Sequence, residues 1–209
     1  MSGSTTLVVL VILTAIVLVG ILVFRPTITA TRGGKILAFV ALLVFPLLGS
    51  GMGIKAHIEH STSTKFCLSC HVMEPYGKSL LVDDRSYLPA VHYQYGMVSR
   101  DHACFTCHTD YAMFGDMRAK MRGLKHVYKY YIGTPSDPIK LYSPYNNREC
   151  LHCHLGTRAF EEGEAHNKDP QVMTQIKNNQ KGCTTSGCHN IVHNVKDIKD
   201  ATFWKDKIE

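Results

Sequence analysis

Eight cysteines fall in four pairs along the chain: Cys67/Cys70, Cys104/Cys107, Cys150/Cys153 and Cys183/Cys188. A histidine directly follows the second cysteine of every pair: His71, His108, His154 and His189. Closely spaced thiols can close a disulfide, grip a zinc ion or be spent on a prosthetic group. A disulfide needs no histidine at a fixed offset, and a zinc ribbon does not need one at the next position. C-x-x-C-H is the attachment pattern of c-type haem, in which the thiols add to the porphyrin vinyl groups and the histidine is placed under the iron. Four copies of the same adjacency predict four covalent haems. The last copy, CTTSGCH, has a longer spacer, which can still bring both thiols to one ring. In CLSCHVM, Met73 stands two residues beyond His71, where the motif requires nothing, and so raises the question of which side chain meets the first iron.

Each iron bound on both faces needs a further ligand. The chain has 12 histidines, and those outside the motifs are His57, His60, His92, His102, His126, His152, His166 and His193. Any one of them alone would read as an ordinary surface or core residue. The demand of the irons changes that, and His92, His166 and His193, near motif segments, are the first candidates.

Residues 7–24 and 36–54 are apolar runs without a charged residue. Each approaches the length of about 20 residues that a membrane-spanning helix needs. Thr14 can bond back to its own helix, and Pro46 predicts a kink in the second. A cleaved signal peptide normally opens with positive charge, whereas MSGSTT carries no Lys or Arg. The connector RPTITATRGGK holds Arg25, Arg32 and Lys35, and positive connectors stay in the cytoplasm. Both ends of the hairpin then face outward. The expected architecture is mainly α: a membrane anchor over 1–60 and a loop-rich, short-helix tetrahaem cytochrome c domain over 61–209. Porphyrins would supply much of that domain's apolar filling. The formal charge of +6 overstates its basicity, because residues 61–209 carry 19 Lys and Arg against 16 Asp and Glu. Haem propionates bring it near neutral or below, which argues against a nucleic-acid partner.

Residues 113–132, MFGDMRAKMRGLKHVYKYYI, behave differently. Met113, Met117, Met121, Leu124, Tyr128 and Tyr131 recur three or four apart, with Arg118, Lys120, Arg122, Lys125 and Lys129 between them. This predicts a basic amphipathic helix, suited either to a membrane surface or to an ordinary solvated domain face.

The order of these motifs behind an anchor resembles the NapC/NirT family of membrane-anchored tetrahaem quinol dehydrogenases, and especially its NrfH branch. STSTKFCLSCHVME, HYQYGMVSRDHACFTCH, MRAKMRGLKHVYKYYIGT, NNRECLHCH, AHNKD and KGCTTSGCHNIVHNV carry the likeness, over roughly residues 32–195. The resemblance implies Met73 as axial ligand of the first haem, with His71 off the iron; plain His71 ligation is the alternative. It also implies a quinol site beside the first haem, with Lys120 and His126 as its candidate residues. The implied function is electron transfer between the quinol/quinone pool and a water-soluble, multihaem periplasmic oxidoreductase. The cytochrome would sit in the cytoplasmic-type membrane of a prokaryote, within an oligomeric complex. A tethered carrier without a quinone site, or a small-molecule reductase working at an open haem, are the alternatives. Three departures from the family pattern are the extra first membrane helix, the long fourth spacer, and His126 where the family usually has an acidic residue.

Overall fold

The computed structural model describes residues 3–184, 187–189 and 192–208. The chain divides into a compact unit ending at Thr62 and another beginning at Ser63. Among the described residues the secondary structure is helical, with no strand beyond a single Val82–Phe203 bridge.

The first unit holds two long helices, α1 (Gly3–Phe24) and α2 (Arg32–Ser61), both long and apolar enough to cross a membrane. Their leucine, valine, isoleucine and phenylalanine side chains face outward, the inverse of a water-soluble pair and the arrangement lipid favours. The Thr14 hydroxyl donates to the Leu10 carbonyl at 2.8 Å, as its position in an apolar helix demands. Pro46 cannot donate a backbone hydrogen bond. Helix α2 meets this by widening into a π turn over Val40–Val44 and then continuing, where the sequence predicts a kink. The connector closes tightly. Thr31 caps α2 by accepting from the Gly34 N–H at 3.0 Å, and a Cβ at Gly34 would lie 1.7 Å from the Ile28 carbonyl oxygen.

The second unit is built from short helices: α3 (Thr64–Leu68), α4 (Glu74–Lys78), α5 (Leu88–Gln94), α6 (Ala103–His108), α7 (Gly115–Tyr131), α8 (Arg148–His154), α9 (Arg158–Glu161), α10 (Glu164–Asn167) and α11 (Pro170–Lys177). Its aliphatic core is small. Leu80, Leu81, Tyr93 and Ala103 form one cluster, and Val82, Tyr87 and Ala90 another. Both are closed by the C-terminal segment through Phe203, with Ile208 on the first and Ile198 and Ala201 on the second. The Trp204 N–H donating to Leu81 and the Asp83 N–H donating to Thr202 fix that segment. Near the cysteine motifs, by contrast, Thr64, Thr109, Asp110 and Asn147 are buried polar residues.

Helix α7 spans the predicted amphipathic stretch and runs unbroken through Gly123. Gly115 opens it where a Cβ would stand 1.4 Å from the Asp110 carbonyl oxygen, whereas Gly123 faces open space. Gly115→Ala should therefore cost on the order of 1–3 kcal/mol through overpacking. Gly123→Ala should add about 0.5–1 kcal/mol by removing a mid-helix glycine. Denaturant unfolding of the two variants beside the parent checks both signs.

Candidate functional site

Local structure sets the cysteine pairs. Motifs two and three lie within α6 and α8, where an i,i+3 spacing puts both thiols on one helical face and the histidine at its end. Motif one begins in α3, which Ser63 caps by accepting from the Phe66 N–H at 3.1 Å. In motif four the His189 N–H returns to the Cys183 carbonyl at 3.0 Å. Thr185 and Ser186 of its long spacer lie outside the described residues.

No disulfide joins the eight cysteines, and thiols of successive motifs adjoin one another. A hydrogen bond from Cys104 pulls the Cys67 thiol below its ordinary range, and one from Cys150 does the same for Cys183. Burial pushes Cys107 up, with the nearby Cys153 adding to it. Motifs one and two, two and three, and three and four are thus neighbours in space.

The eight thiols differ in exposure. Cys67, Cys104, Cys107, Cys150 and Cys183 are half-buried, whereas Cys70, Cys153 and Cys188 are exposed. For Cys70 and Cys188 the reason lies in the backbone. Cys70 comes after α3 has ended, in extended conformation at φ −90° and ψ 121°, so it does not share a helical face with Cys67. Cys188 follows Gly187, whose φ of +77° turns the chain in a way that L side chains rarely adopt. In motifs one, three and four the first sulfur is half-buried and the second is at the surface.

The histidines pair across the chain. The ring centre of His108 is 6.1 Å from that of His193, His154 is 5.9 Å from His92, and His189 is 6.2 Å from His166. An iron shared by two imidazoles fixes this separation: about 2 Å for each metal–nitrogen bond and roughly 1 Å more from each nitrogen to its ring centre. The outer nitrogens are also committed. Nδ1–H of His92 donates to the Leu88 carbonyl at 2.8 Å, and that of His166 donates to the Phe160 carbonyl at 2.9 Å. The Ser79 hydroxyl donates to the Tyr76 carbonyl at 2.6 Å and accepts from His193 Nδ1 at 2.6 Å. Each arrangement leaves Nε2 with its lone pair, the tautomer a metal-ligating histidine needs. Burial, with His108 beside it, pushes His193 down to about 4, so it is a neutral donor at any working pH. Burial lowers His154 as well, followed by the charges of His92, His189 and His166. The donor set fits three bis-histidine haems. None of Ser79, Leu88 or Phe160 was legible in the sequence, because two of them act through backbone carbonyls that have no residue signature.

His71 stands apart. Its Nε2 is hydrogen-bonded to the Tyr130 hydroxyl of α7 at 2.7 Å. Met73 is half-buried in the turn that follows. Lys120 of the same helix acts on Cys67 of motif one, and its Nζ lies 4.8 Å from the centre of the Phe105 ring of motif two. Burial lowers the Lys120 amine, opposed by Cys67 and then Asp116. His126 packs on Tyr142 at 4.3 Å and lies close to His108 of the second motif. Burial, then Lys129 and Lys125, push it down. Lys120 thus lies between motifs one and two, and His126 lies beside motif two. His152 stacks on Tyr111 at 3.8 Å.

Comparison with known proteins agrees with this chemistry. Residues 29–198 match the NapC/NirT cytochrome c family, N-terminal region, and the chain belongs to that family. It is a membrane-anchored, electron-transferring cytochrome that carries c-type haem. Cytochrome c-type protein NapC of Haemophilus influenzae is 24% identical over 183 residues, covering 78% of this chain and 84% of the relative. Cytochrome c-type protein TorC of Escherichia coli K12 is 23% identical over 175 residues, which is 76% of this chain and 40% of the relative. The chain thus spans about two-fifths of TorC's length. No solved structure matches.

The pairing makes a prediction that sequence proximity would get wrong. His92 precedes Cys104 yet faces His154, so His92→Ala should alter the haem on Cys150/Cys153 and leave that on Cys104/Cys107 intact. His193→Ala should alter the haem on Cys104/Cys107, and His166→Ala that on Cys183/Cys188. Each variant should convert one haem to a high-spin form, visible by resonance Raman or electron paramagnetic resonance.

Proposed function

We propose that the protein is a tetrahaem quinol dehydrogenase subunit of NrfH type. It takes electrons from membrane quinol at motif one and delivers them, from the motif-four side, to a soluble, multihaem oxidoreductase in an oligomeric complex. The observation that carries this reading is the asymmetry among the motifs. Three motif histidines face a second imidazole at iron-sharing distance, while His71 is hydrogen-bonded to Tyr130 and Met73 adjoins it. A closed bis-histidine site suits transfer alone. A site with thioether ligation and a free face suits exchange with a bulky organic donor, and a thioether raises the potential of the haem that receives the electron. When bound, the haems supply the one-electron acceptors.

The residues around motif one supply the rest. Lys120, partly desolvated, can bond a quinol oxygen. Tyr130 and, one turn earlier on the same face, His126 offer positions for the released protons. The apolar stripe of α7 is exposed: Met117, Met121, Leu124 and Tyr128 lead to Tyr131 at 76%, and Met113, just ahead of the helix, is 80% exposed. Arg122, Lys125 and Lys129 flank it. In a chain tethered by membrane helices, that combination suits an interfacial helix lying among lipid headgroups. The positive charge of the Arg25, Arg32 and Lys35 loop supports a haem domain on the outer, periplasmic face of a prokaryotic cytoplasmic membrane.

Three measurements test the reading. Intact mass should show four haems. Met73→Leu should change the spectrum and lower the potential of a single haem, whereas His71→Ala should leave that iron's ligation in place; unchanged haems in Met73→Leu would return the ligand role to His71. Lys120→Ala and His126→Ala should slow quinol oxidation with all four haem spectra preserved, and unimpaired oxidation in both removes the site. Orientation is checked separately. A cysteine introduced at position 2 should label from outside intact cells, and one in the 25–35 loop should not.

A further inference from the structure

Three buried polar side chains each join a different pair of successive motifs. Thr64 lies three residues before Cys67. Its hydroxyl donates to the Arg100 carbonyl at 2.7 Å and accepts from the Ala103 N–H at 2.9 Å, immediately ahead of Cys104. Asp110 lies two residues after His108. Its Oδ1 accepts from Arg148 at 2.5 Å, two residues before Cys150, and its Oδ2 accepts from Arg118 of α7 at 3.2 Å. Arg122 stands 4.0 Å from the same oxygen. Asn147 lies three residues before Cys150. Its Oδ1 accepts from the N–H of Cys183 itself at 2.9 Å, while its Nδ2 donates to the carbonyls of Ile176 and Lys181 at 2.8 and 2.7 Å.

The residue types suit the task. A buried polar group is costly unless its bonds are made, so each of these side chains is stable in one placement of its partners and penalised in others. Apolar packing tolerates sliding that a bond with a defined length and angle does not. The bridged separations are also alike in sequence, 39, 38 and 36 residues. Each bridge spans the intervening loop and pins the neighbourhood of one attachment site to that of the next.

We propose that Thr64, Asp110 and Asn147 are positioning residues that set the spacing and tilt between haems one and two, two and three, and three and four respectively. This rests on the reading that all four motifs carry haem. The test uses the full-length holoprotein in detergent. Intact mass counts the haems, Soret circular dichroism reads the exciton couplets between neighbours, and a redox titration reads their potentials. Thr64→Val keeps the shape and removes both bonds. It should retain four haems, lose part of the couplet amplitude and shift the potentials of the haems on motifs one and two, with Thr64→Ser restoring both. A four-haem Thr64→Val protein with unchanged couplets and potentials overturns the proposal. If Thr64→Val yields no holoprotein, Asp110→Asn and Asn147→Asp decide the matter by the same readouts, and unchanged spectra in both overturn it. Fewer than four haems on the parent chain would instead defeat the four-haem reading, and with it the bridge to the empty motif.

Discussion

Two imidazoles can share an iron only if their ring centres stand about 6 Å apart and the facing nitrogens are unprotonated. Much of the second unit follows from meeting that condition three times with residues far apart in the chain. Short helices deliver a cysteine pair and its histidine, and then stop. Loops carry the chain to where the opposing histidine must enter. The Nδ1 bonds to Ser79, Leu88 and Phe160 settle the tautomer. A long regular helix or a broad sheet would place side chains at fixed periodicities that these pairs do not obey. The one long helix of this unit, α7, contributes no member of a histidine pair and instead lies along motifs one and two.

The economy of the core has the same origin. Among the described residues, the aliphatic clusters lie where Leu80–Tyr93 meets the C-terminal segment. Elsewhere, polar side chains with complete hydrogen bonding hold the chain, and no buried side-chain nitrogen or oxygen among the described residues lacks a partner. Asp110 is the extreme case. A carboxylate with 2% of its side chain exposed is tolerable because guanidinium groups surround it; removing them would leave an uncompensated buried charge, at a cost of several kcal/mol.

What was legible in the sequence was whatever chemistry ties to a fixed offset or composition ties to a solvent. Cys–His adjacency marked the attachment motifs, and uncharged apolar runs marked the two long helices. The unequal burial within motifs one, three and four was not legible, because Cys70, Cys153 and Cys188 carry the same offset to histidine as Cys107. The amphipathic pattern of 113–132 marked α7, although the helix starts at Gly115, after Met113 and Phe114. His92, His166 and His193 emerged by matching supply to demand. Their partners could not be read, because pairing is a property of the folded path: His92 is nearer in sequence to motif two and faces motif three. The resemblance grouped Lys120 with His126 on one helix, and their positions relative to motifs one and two came only from the folded path. The closing role of Phe203, Trp204 and Ile208 was invisible, because a short irregular tail has no periodicity to betray it.

The adjoining thiols bear on how the protein is made. Cys104 against Cys67 and Cys150 against Cys183 are partners from different motifs. A chain that reached this conformation with its sulfurs unspent would hold ready-made mispairs, each a short step from a cross-link in an oxidising environment. Thioether formation on the still-extended polypeptide would remove that hazard, giving maturation a direction in time: prosthetic groups first, collapse afterwards.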